Sequence, residues 1–375
     1  MDTAAYSNWL EIDLDAIRGN VRELRRISGV KIMAIVKANG YGHGMIQAGR
    51  AAIQGGAEWL GVGRIEEALA LRAAGITHPL LVLGYASPLR AAEAAQNDIS
   101  LTVYDLDLAQ EYGKSVQETG RRIKIHAKFD SGMGRLGIFP EEGLAFIKAL
   151  SGIDGLEIEG MFTHFARSDE PEATTTNWQN QRFQDLVSQL ERNGLRPPLV
   201  HAANSAATLY FPDTRYDMVR CGIAIYGLHP SVEAPLPDSF RRALSWKAHL
   251  SSVKFLPANH GVGYSFRYIT QAQERIGVVP AGYADGFRRR VGNFALLGGK
   301  RVNLAGGVCM DQIMLHLDGV PEAKIGDEVV LIGCQGDEKI TAEEIGFEWG
   351  TLNYDVVCGL QARIPRVYLN ERDEV

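Results

Sequence analysis

The segment KIMAIVKANGYGHG, residues 31–44, joins an apolar run to a lysine and then to three glycines within seven residues. The apolar run predicts a buried strand, and glycines directly after a strand are typical of places where the backbone approaches a ligand closely. Lys37 stands at this junction, either as a solvated strand end or as a reactive amine. The segment therefore predicts the first strand of a sheet, with a candidate site at its carboxyl end.

The same pattern continues to about residue 227, because apolar or β-branched runs alternate with stretches of helical period. The helical stretches include 64–75, 141–150 and 178–194, and the last places Phe183, Leu186, Val187 and Leu190 on one face. Eight such βα units in about 220 residues predict a (β/α)8 TIM-like barrel, with a doubly wound open sheet as the structural alternative. The eight predicted strands are KIMAIVK, WLGVG, PLLVLG, SLTVY, RIKIHAKF, GLEIEGMFTHF, LVHAAN and MVRCGIAIYG.

A polar stretch with three prolines, between residues 227 and 244, predicts a domain boundary near 230–240. Beyond it, helical signal is concentrated in TAEEIGFEWG, and short strand-like runs dominate. We therefore expect a barrel over residues 8–235, which would bind the cofactor proposed below, and a mainly β C-terminal domain over 236–375, joined by residues 1–10. The strand-like runs are HLSSVKFL, ERIGVVPAG, KRVNLAGGVCMDQIMLHL, EVVLIG and ARIPRVYL.

The composition is that of a globular protein, with 46% hydrophobic and 22% charged residues and a net charge of −6. The longest basic run is RRR at 288–290, so nucleic acid is not an expected partner. The four cysteines form no CxxC pair, which argues against a disulfide framework or a zinc site and favours free thiols. The N-terminus lacks a signal-peptide pattern, and no apolar stretch is long enough to span a membrane. We therefore expect a cytoplasmic protein without a metal.

Polar residues occur where the predicted barrel strands end, and chemistry in such barrels is found at that face. Taken singly, each has a structural explanation: a lone histidine can be satisfied in the core, and a serine can cap the next helix. A purely structural explanation is harder to give for Arg220, because a guanidinium inside an apolar strand needs partners. Their coincidence on one rim predicts a functional site. The residues are Lys37, Lys128, Asp130, Arg135, His164, Asn204, Ser205 and Arg220, followed by Gly222 and Ile223.

The loops after strands 7 and 8 carry the features of a phosphate site. Asn204 and Ser205 precede a predicted helix, and the backbone N–H groups at Gly222 and Ile223 follow the last strand. Barrels often bind phosphate with these two loops. A lysine opposite a phosphate site suggests a phosphorylated carbonyl cofactor held as a Schiff base, for which pyridoxal 5'-phosphate (PLP) is the candidate.

A series of motifs from about residue 7 to 369 resembles the alanine racemase family, whose members use PLP. The lysine motif is shared with other barrel-type PLP proteins, whereas the late motifs around Tyr264, Met310 and Tyr354 are specific to this family. The one departure is Gly40, where alanine is usual. The motifs are AIVKANGYGHG, KFDSGMGRLG, MFTHFARSD, HAANSAAT, VRCGIAIYG, GVGYSFR, GYADGFRRR, GGVCMDQIM and TLNYDVVCGLQARIPRVY.

The resemblance implies catalytic and cofactor-binding roles. Lys37 would carry PLP and act as one base, and Tyr264 of the partner subunit would be the opposing base. His164 would lie against the cofactor ring, and Arg220 would sit at the pyridine nitrogen. The remaining cofactor-binding residues, mainly around the phosphate, would be Tyr41, Asn204, Ser205, Gly222, Ile223 and Tyr354.

The resemblance also implies residues around the substrate. Arg135 would bind the substrate carboxylate, oriented by Lys128, which is carbamylated in many relatives. Met310 would add a backbone contact from the partner chain. Tyr283 and Arg290 would line the access path, and Asp311 would support this region.

The implied activity is interconversion of L-alanine and D-alanine by a two-base mechanism in a homodimer, supplying D-alanine for peptidoglycan. Three alternatives share the barrel: a PLP-dependent decarboxylase, a non-catalytic PLP-binding protein, and a racemase of another amino acid such as serine. Decarboxylases of this type tend to have a glycine triplet and an acidic residue at the ring nitrogen, whereas this chain has Arg220. Binding proteins are typically a barrel alone.

Overall fold

The computed structural model describes residues 3–290 and 292–372. Residues 1–2 and 373–375, which the expected domain division included, lie outside the described residues. The chain forms two compact units. One contains residues 16–40 and 45–241, and the other contains the described residues within 3–15, 41–44 and 242–372.

The first unit is an eight-stranded parallel barrel, in the order β8-β7-β6-β5-β4-β3-β2-β9. The circle closes where β9 pairs with β2, which sets Arg220 beside Met33. Along the seam between β8 and β9, Arg220 N donates to Ala203 O over 2.9 Å. Its strands are β2 (Lys31–Ile35), β3 (Trp59–Val62), β4 (Leu80–Val82), β5 (Ile99–Val103), β6 (Ile123–Lys128), β7 (Leu156–Phe162), β8 (Leu199–His201) and β9 (Met218–Cys221).

A helix precedes each barrel strand. The predicted apolar face of α7 is buried, and Asp105 caps α5 by accepting a hydrogen bond from Leu108 N over 2.8 Å. The helices are α1 (Leu14–Ser28), α2 (Met45–Gln54), α3 (Ile65–Ala73), α4 (Ala91–Gln96), α5 (Leu106–Val116), α6 (Gly143–Ser151), α7 (Thr174–Arg192) and α8 (Ser205–Tyr210).

The eight predicted strands and the barrel are confirmed. The predicted alternation begins with a strand, whereas in the structure helix α1 precedes the first barrel strand.

The second unit is mainly β. Its largest sheet has the order β16-β15-β18-β10-β1-β20, with β19 on β18, and β11-β14-β17 and β12-β13 form two smaller sheets. Its two helices are α9 (Ala342–Trp349) and α10 (Asn353–Cys358). Its strands are β1 (Asn8–Asp13), β10 (Leu244–His249), β11 (Ser252–Leu256), β12 (Gly261–Val262), β13 (Tyr268–Ile269), β14 (Glu274–Val279), β15 (Phe294–Leu297), β16 (Lys300–Asn303), β17 (Ile313–His316), β18 (Glu328–Gln335), β19 (Glu338–Ile340) and β20 (Arg366–Leu369).

The predicted mainly β domain is confirmed, but two of its runs are divided. HLSSVKFL spans the end of β10 and all of β11, which belong to different sheets. The run from Lys300 to Leu317 likewise contains β16 and β17 with a loop between them. Both divisions let the chain pass from the large sheet to the three-stranded one.

Candidate active site

Lys37 follows β2 and begins a single helical turn, Lys37–Tyr41, whose backbone is left-handed. Ala38, Asn39 and Gly40 have φ between 52° and 63°. Residues other than glycine adopt this conformation at a cost, so the surrounding structure must hold it. The strand end is thus followed by a strained turn, which accounts for the unusual sequence after Lys37.

Glu67 of α3 holds this turn in place. One carboxylate oxygen accepts from Ala38 N over 2.6 Å, and the other accepts from Gly63 N over 2.8 Å and from Arg64 N over 3.2 Å. The carboxylate therefore ties the loop after β2 to the loop after β3. We did not single out Glu67 from the sequence, where it resembles any acidic residue in a first helical turn.

Lys128 ends β6 and is buried, with its Nζ 5.3 Å from the centre of the Phe162 ring. Burial, together with the charges of Arg135, Arg220 and Lys37, lowers the pKa of Lys128 to about 8. A lysine in this state is a better nucleophile than a solvated one, because more of it is neutral at physiological pH.

Asp130 organises the loop that carries Arg135. Its two carboxylate oxygens accept four backbone hydrogen bonds of 2.8–3.1 Å, from Gly132, Met133, Gly134 and Arg135. Burial raises the pKa of Asp130, but these four donors outweigh it and the net pKa is lowered. The loop therefore folds around an ionised carboxylate, and the hydrogen bond from Arg135 N fixes the backbone position of Arg135.

Arg220 lies inside the barrel with 4% of its surface exposed, and its two Nη atoms have acceptors. Nη1 lies 3.1 Å from His201 Nδ1, and Nη2 lies 3.0 Å from His164 Nδ1. Nη2 also donates to the carbonyl oxygens of Thr163 and Ala202. Burial lowers the pKa of Arg220 to about 9, which leaves the guanidinium charged at neutral pH.

His164 is the point at which the positive side chains meet. Burial lowers its pKa well below the ordinary value, and the charges of Arg220, Arg135, Lys128 and Lys37 act in the same direction. Because Arg220 can only donate, Nδ1 of His164 must accept. Four predicted cationic residues therefore act on a neutral imidazole at the carboxyl end of the barrel.

The predicted phosphate loops are also adjacent. The Ser205 hydroxyl accepts from Gly222 N over 3.0 Å and from Ala224 N over 3.4 Å, and Ile223 begins a short 3-10 helix. Asn204 instead caps α8, because its Oδ1 accepts from Ala207 N over 2.9 Å and from the Ser168 hydroxyl. Asn204 therefore caps the helix, a role that the sequence pattern had suggested for Ser205.

Tyr41 and Tyr354 are neighbours in the second unit, with ring centres 6.2 Å apart. Tyr41 is buried, and burial raises its pKa far above the ordinary value, so its hydroxyl remains protonated. The backbone at Gly42 also packs closely here, since a Cβ there would lie 2.1 Å from Val357 O. Two phenol groups are therefore held close together after the left-handed turn.

Three of the second unit's predicted site residues, Tyr264, Tyr283 and Met310, are exposed. Tyr264 is 71% exposed on a 3-10 turn that continues to Phe266, Tyr283 is 41% exposed, and Met310 is 52% exposed. The loops of the last two are joined, because Tyr283 N donates to Cys309 O over 3.0 Å and Ala284 N donates to Met310 O over 2.9 Å.

Asp311 and Arg290 both have partners within the second unit. Asp311 forms an ion pair of 2.9 Å with Arg363, which also pairs with Asp285. Arg290 donates to Trp349 O over 2.8 Å. These contacts give both predicted residues a supporting role in holding their loops.

Two wider features concern the described part of the chain. In residues 3–290 and 292–372, no group of three or more His, Cys, Asp or Glu is placed to hold a metal ion. The same residues contain no helix that is long and apolar enough to cross a membrane.

Comparison with known proteins identifies the family. Residues 12–230 match the model of the alanine racemase N-terminal domain, and residues 243–368 match that of the C-terminal domain. Alanine racemase of Symbiobacterium thermophilum is 43% identical over 366 residues, which is 97% of each chain. Alanine racemase of Methanococcus maripaludis is also 43% identical, covering 96% of this chain and 98% of its own.

Solved structures agree. Alanine racemase from Bacillus anthracis with bound L-Ala-P has a TM-score of 0.92 at 42% identity, covering 98% of this chain and 96% of that one. Histidine racemase from Leuconostoc mesenteroides has a TM-score of 0.90 at 29% identity, covering 97% and 98%. Both domain models, these full-length relatives and the shared barrel lead to one conclusion: the chain belongs to the alanine racemase family of isomerases.

Proposed function

We propose that this protein is a PLP-dependent racemase that interconverts L-alanine and D-alanine. The observation that carries the proposal is that Lys37, Lys128 and Arg220 lie at the carboxyl ends of barrel strands. Their charges and that of Arg135 all lower the pKa of His164. Such a cluster is unfavourable unless anionic ligands compensate it. A phosphorylated cofactor and an amino-acid carboxylate are anions of the required kind.

The residues present fit PLP. Lys37 offers an amine for the cofactor aldehyde, Arg220 offers a planar guanidinium to the ring nitrogen, and the Ser205 hydroxyl lies with the N–H groups of Gly222 and Ala224 for the phosphate. The family resemblance would add the hydroxyls of Tyr41 and Tyr354, which are neighbours in the second unit. When bound, PLP would withdraw electrons from the substrate and make its Cα proton acidic.

Racemisation requires a proton to leave one face of Cα and another to arrive on the opposite face. Lys37 and Tyr264 of the partner subunit are proposed as the two groups that move these protons. Arg135 would bind the substrate carboxylate, and the backbone of Met310 from the partner would add a contact. A carboxylate held in this way fixes which faces of Cα the two bases meet.

Arg220 limits what else the site can do. Its four acceptors in the barrel hold the guanidinium in one orientation, and it cannot give its proton to the ring nitrogen. An enzyme that needs a full electron sink places a carboxylate there. We therefore expect Arg220 to suppress transamination relative to racemisation.

A homodimer with shared sites is part of the proposal. Tyr264, Tyr283 and Met310 are exposed on loops within one protomer, and a two-fold partner would bring them to the other protomer's barrel. Supply of D-alanine for peptidoglycan in the cytoplasm is the proposed biological role.

The test is proton NMR of the purified protein with PLP in D2O and L-alanine, followed by chiral analysis. Loss of the Cα proton signal together with formation of D-alanine supports the proposal. Persistence of that signal in the presence of a lysine-bound PLP spectrum contradicts it, and release of an amine would indicate a decarboxylase. Parallel samples with L-serine and L-histidine rank the substrates, since the fold also occurs in a histidine racemase.

A further inference from the structure

A chain of polar side chains runs through the interior of the barrel, where apolar side chains usually fill the space. Its members are Arg220, His201, His126 and Glu159, from strands β9, β8, β6 and β7. Arg220 and both histidines are buried, and Glu159 is 18% exposed. The comparisons and the proposed function assign nothing to His126, His201 or Glu159.

Consecutive members are within hydrogen-bond distance. Arg220 Nη1 lies 3.1 Å from His201 Nδ1, and His201 Nε2 lies 2.9 Å from His126 Nδ1. His126 Nε2 lies 3.3 Å from Glu159 Oε2, which also accepts from the Ser100 hydroxyl over 2.5 Å. The chain thus connects the guanidinium at the active end to a carboxylate deeper in the barrel.

Donor chemistry gives this chain a single direction. Arg220 can only donate, so His201 must accept at Nδ1 and carry its proton at Nε2. His201 then donates to His126 Nδ1, and His126 must in turn carry its proton at Nε2. That last proton needs an acceptor, and Glu159 supplies one.

Two local features make the chain possible. Between β6 and β7, Ile125 pairs with Ile158 whereas His126 pairs with Gly160, so Glu159 is the extra residue of a β-bulge. Bulges redirect side chains and are common beside active sites. At Gly160, a Cβ would lie 2.5 Å from His126 Nδ1, so glycine is needed for the imidazole to occupy its place.

The histidine rings are also fixed by packing. The Phe162 ring stacks on His201 with centres 4.9 Å apart and planes at 5°, and Trp59 meets His126 edge-on at 5.4 Å. These contacts favour one orientation of each ring, in which Nδ1 and Nε2 keep the partners named above. The hydrogen-bond direction is therefore a property of the folded barrel.

We propose that Glu159 is a positioning residue, the final acceptor of a directional hydrogen-bond chain that fixes the tautomers of His126 and His201 and orients Arg220. With Glu159 in place, each imidazole donates towards the carboxylate and presents a lone pair towards Arg220. Without it, the buried N–H of His126 has no acceptor, and the tautomer that Arg220 requires of His201 loses its support. The consequence for cofactor binding rests on the proposed function.

The test compares full-length wild type with Glu159→Leu, Glu159→Gln and the control Glu157→Gln, an exposed carboxylate two residues earlier on β7. Long-range ¹H–¹⁵N spectra of ¹⁵N-histidine protein without cofactor report which ring nitrogen of each histidine carries the proton. Titration with PLP, followed by its absorbance, reports affinity.

In the wild type and in Glu157→Gln, both buried histidines should carry the proton at Nε2. Glu159→Leu should change the tautomer signals of His126 and His201 and weaken PLP binding about tenfold, the effect of losing one charge-assisted hydrogen bond. Glu159→Gln keeps an acceptor oxygen, so it should retain the tautomers while shifting the His126 Nε2 proton resonance.

The proposal is overturned if either wild-type histidine carries its proton at Nδ1, or if Glu159→Leu keeps both the tautomers and the PLP affinity of the wild type. If Glu159→Leu does not fold, an unchanged His126 resonance in Glu159→Gln overturns it as well. If Glu159→Leu shows the expected tautomer changes but the wild type binds no PLP, the hydrogen-bond chain is supported and the proposed function is contradicted. Failure of this proposal and failure of the proposed function are therefore distinguishable.

Discussion

Replacement of Lys128 by methionine is expected to stabilise the protein while harming its activity. Burial and three neighbouring cations lower the pKa of Lys128 from 10.5 to about 8. At 1.36 kcal/mol per pKa unit, holding this side chain charged in the folded state costs about 3 kcal/mol. Methionine has a similar length and no charge, so Lys128→Met removes this cost and loses only the contact with the Phe162 ring. We expect a net gain of about 2 kcal/mol at pH 7.

The gain should depend on pH in a defined direction. Below pH 8, Lys128 is protonated in both the folded and unfolded states, and the cost is fully present. Between about pH 8 and 10.5 the unfolded chain binds the extra proton, so the wild type becomes more stable as the pH rises. The advantage of Lys128→Met should therefore be largest near pH 7 and disappear by about pH 10.5.

The assay is urea unfolding of PLP-free protein in CO2-free buffer at a fixed protomer concentration. Lys124→Met is the control, because Lys124 lies on the same strand but forms a surface ion pair of 2.7 Å with Asp98, and it should change stability by less than about 1 kcal/mol. A Lys128→Met protein that is no more stable than wild type at pH 7, or whose advantage is the same at pH 10.5, would refute the reasoning.

Three further predictions concern single side chains. Gly40→Ala places a Cβ at φ 63° and 3.3 Å from Met45, so we expect a lower Tm and a loss of about 1 kcal/mol, and an unchanged Tm would contradict this. Tyr264→Phe should slow racemisation at least about 100-fold while one alanine enantiomer still exchanges its Cα proton in D2O; wild-type racemisation would exclude Tyr264 as a base. Asp130→Ala removes the acceptor of four backbone N–H groups, so the KM for alanine should rise about tenfold with a smaller change in kcat. An unchanged KM would show that the loop keeps its conformation without this carboxylate.

The barrel was predictable because its strands are short, apolar and regularly spaced. Period and spacing also placed Lys37, Lys128 and Arg220 at one end, since parallel strands end on the same face. The left-handed turn after Lys37 was not predictable, because Ala38 and Asn39 take positive φ values that their residue types disfavour. Only contacts distant in sequence, such as that of Glu67 with Ala38 N, determine that conformation.

The interior of the barrel was less predictable than its rim. His126 and His201 both lie in runs recognised as strands, but their pairing depends on strand register and on the extra residue at Glu159. Hydrophobic period gives no signal for a single bulge. The β domain showed the same limit, because a continuous apolar run does not reveal that the chain changes sheets after His249.

Closure of the barrel between β9 and β2 has a consequence for folding kinetics. The pairing of Arg220 with Met33 joins residues from opposite ends of the barrel sequence, and contacts of such long sequence separation carry the largest loop-closure entropy and form slowly. Lys37 follows one of these two strands and Arg220 belongs to the other, so an intermediate with six or seven docked strands has no complete site. If PLP binds Lys37 as proposed, recovery of a lysine-bound PLP spectrum during refolding should lag behind recovery of secondary structure, and the cofactor would report the last step of barrel assembly.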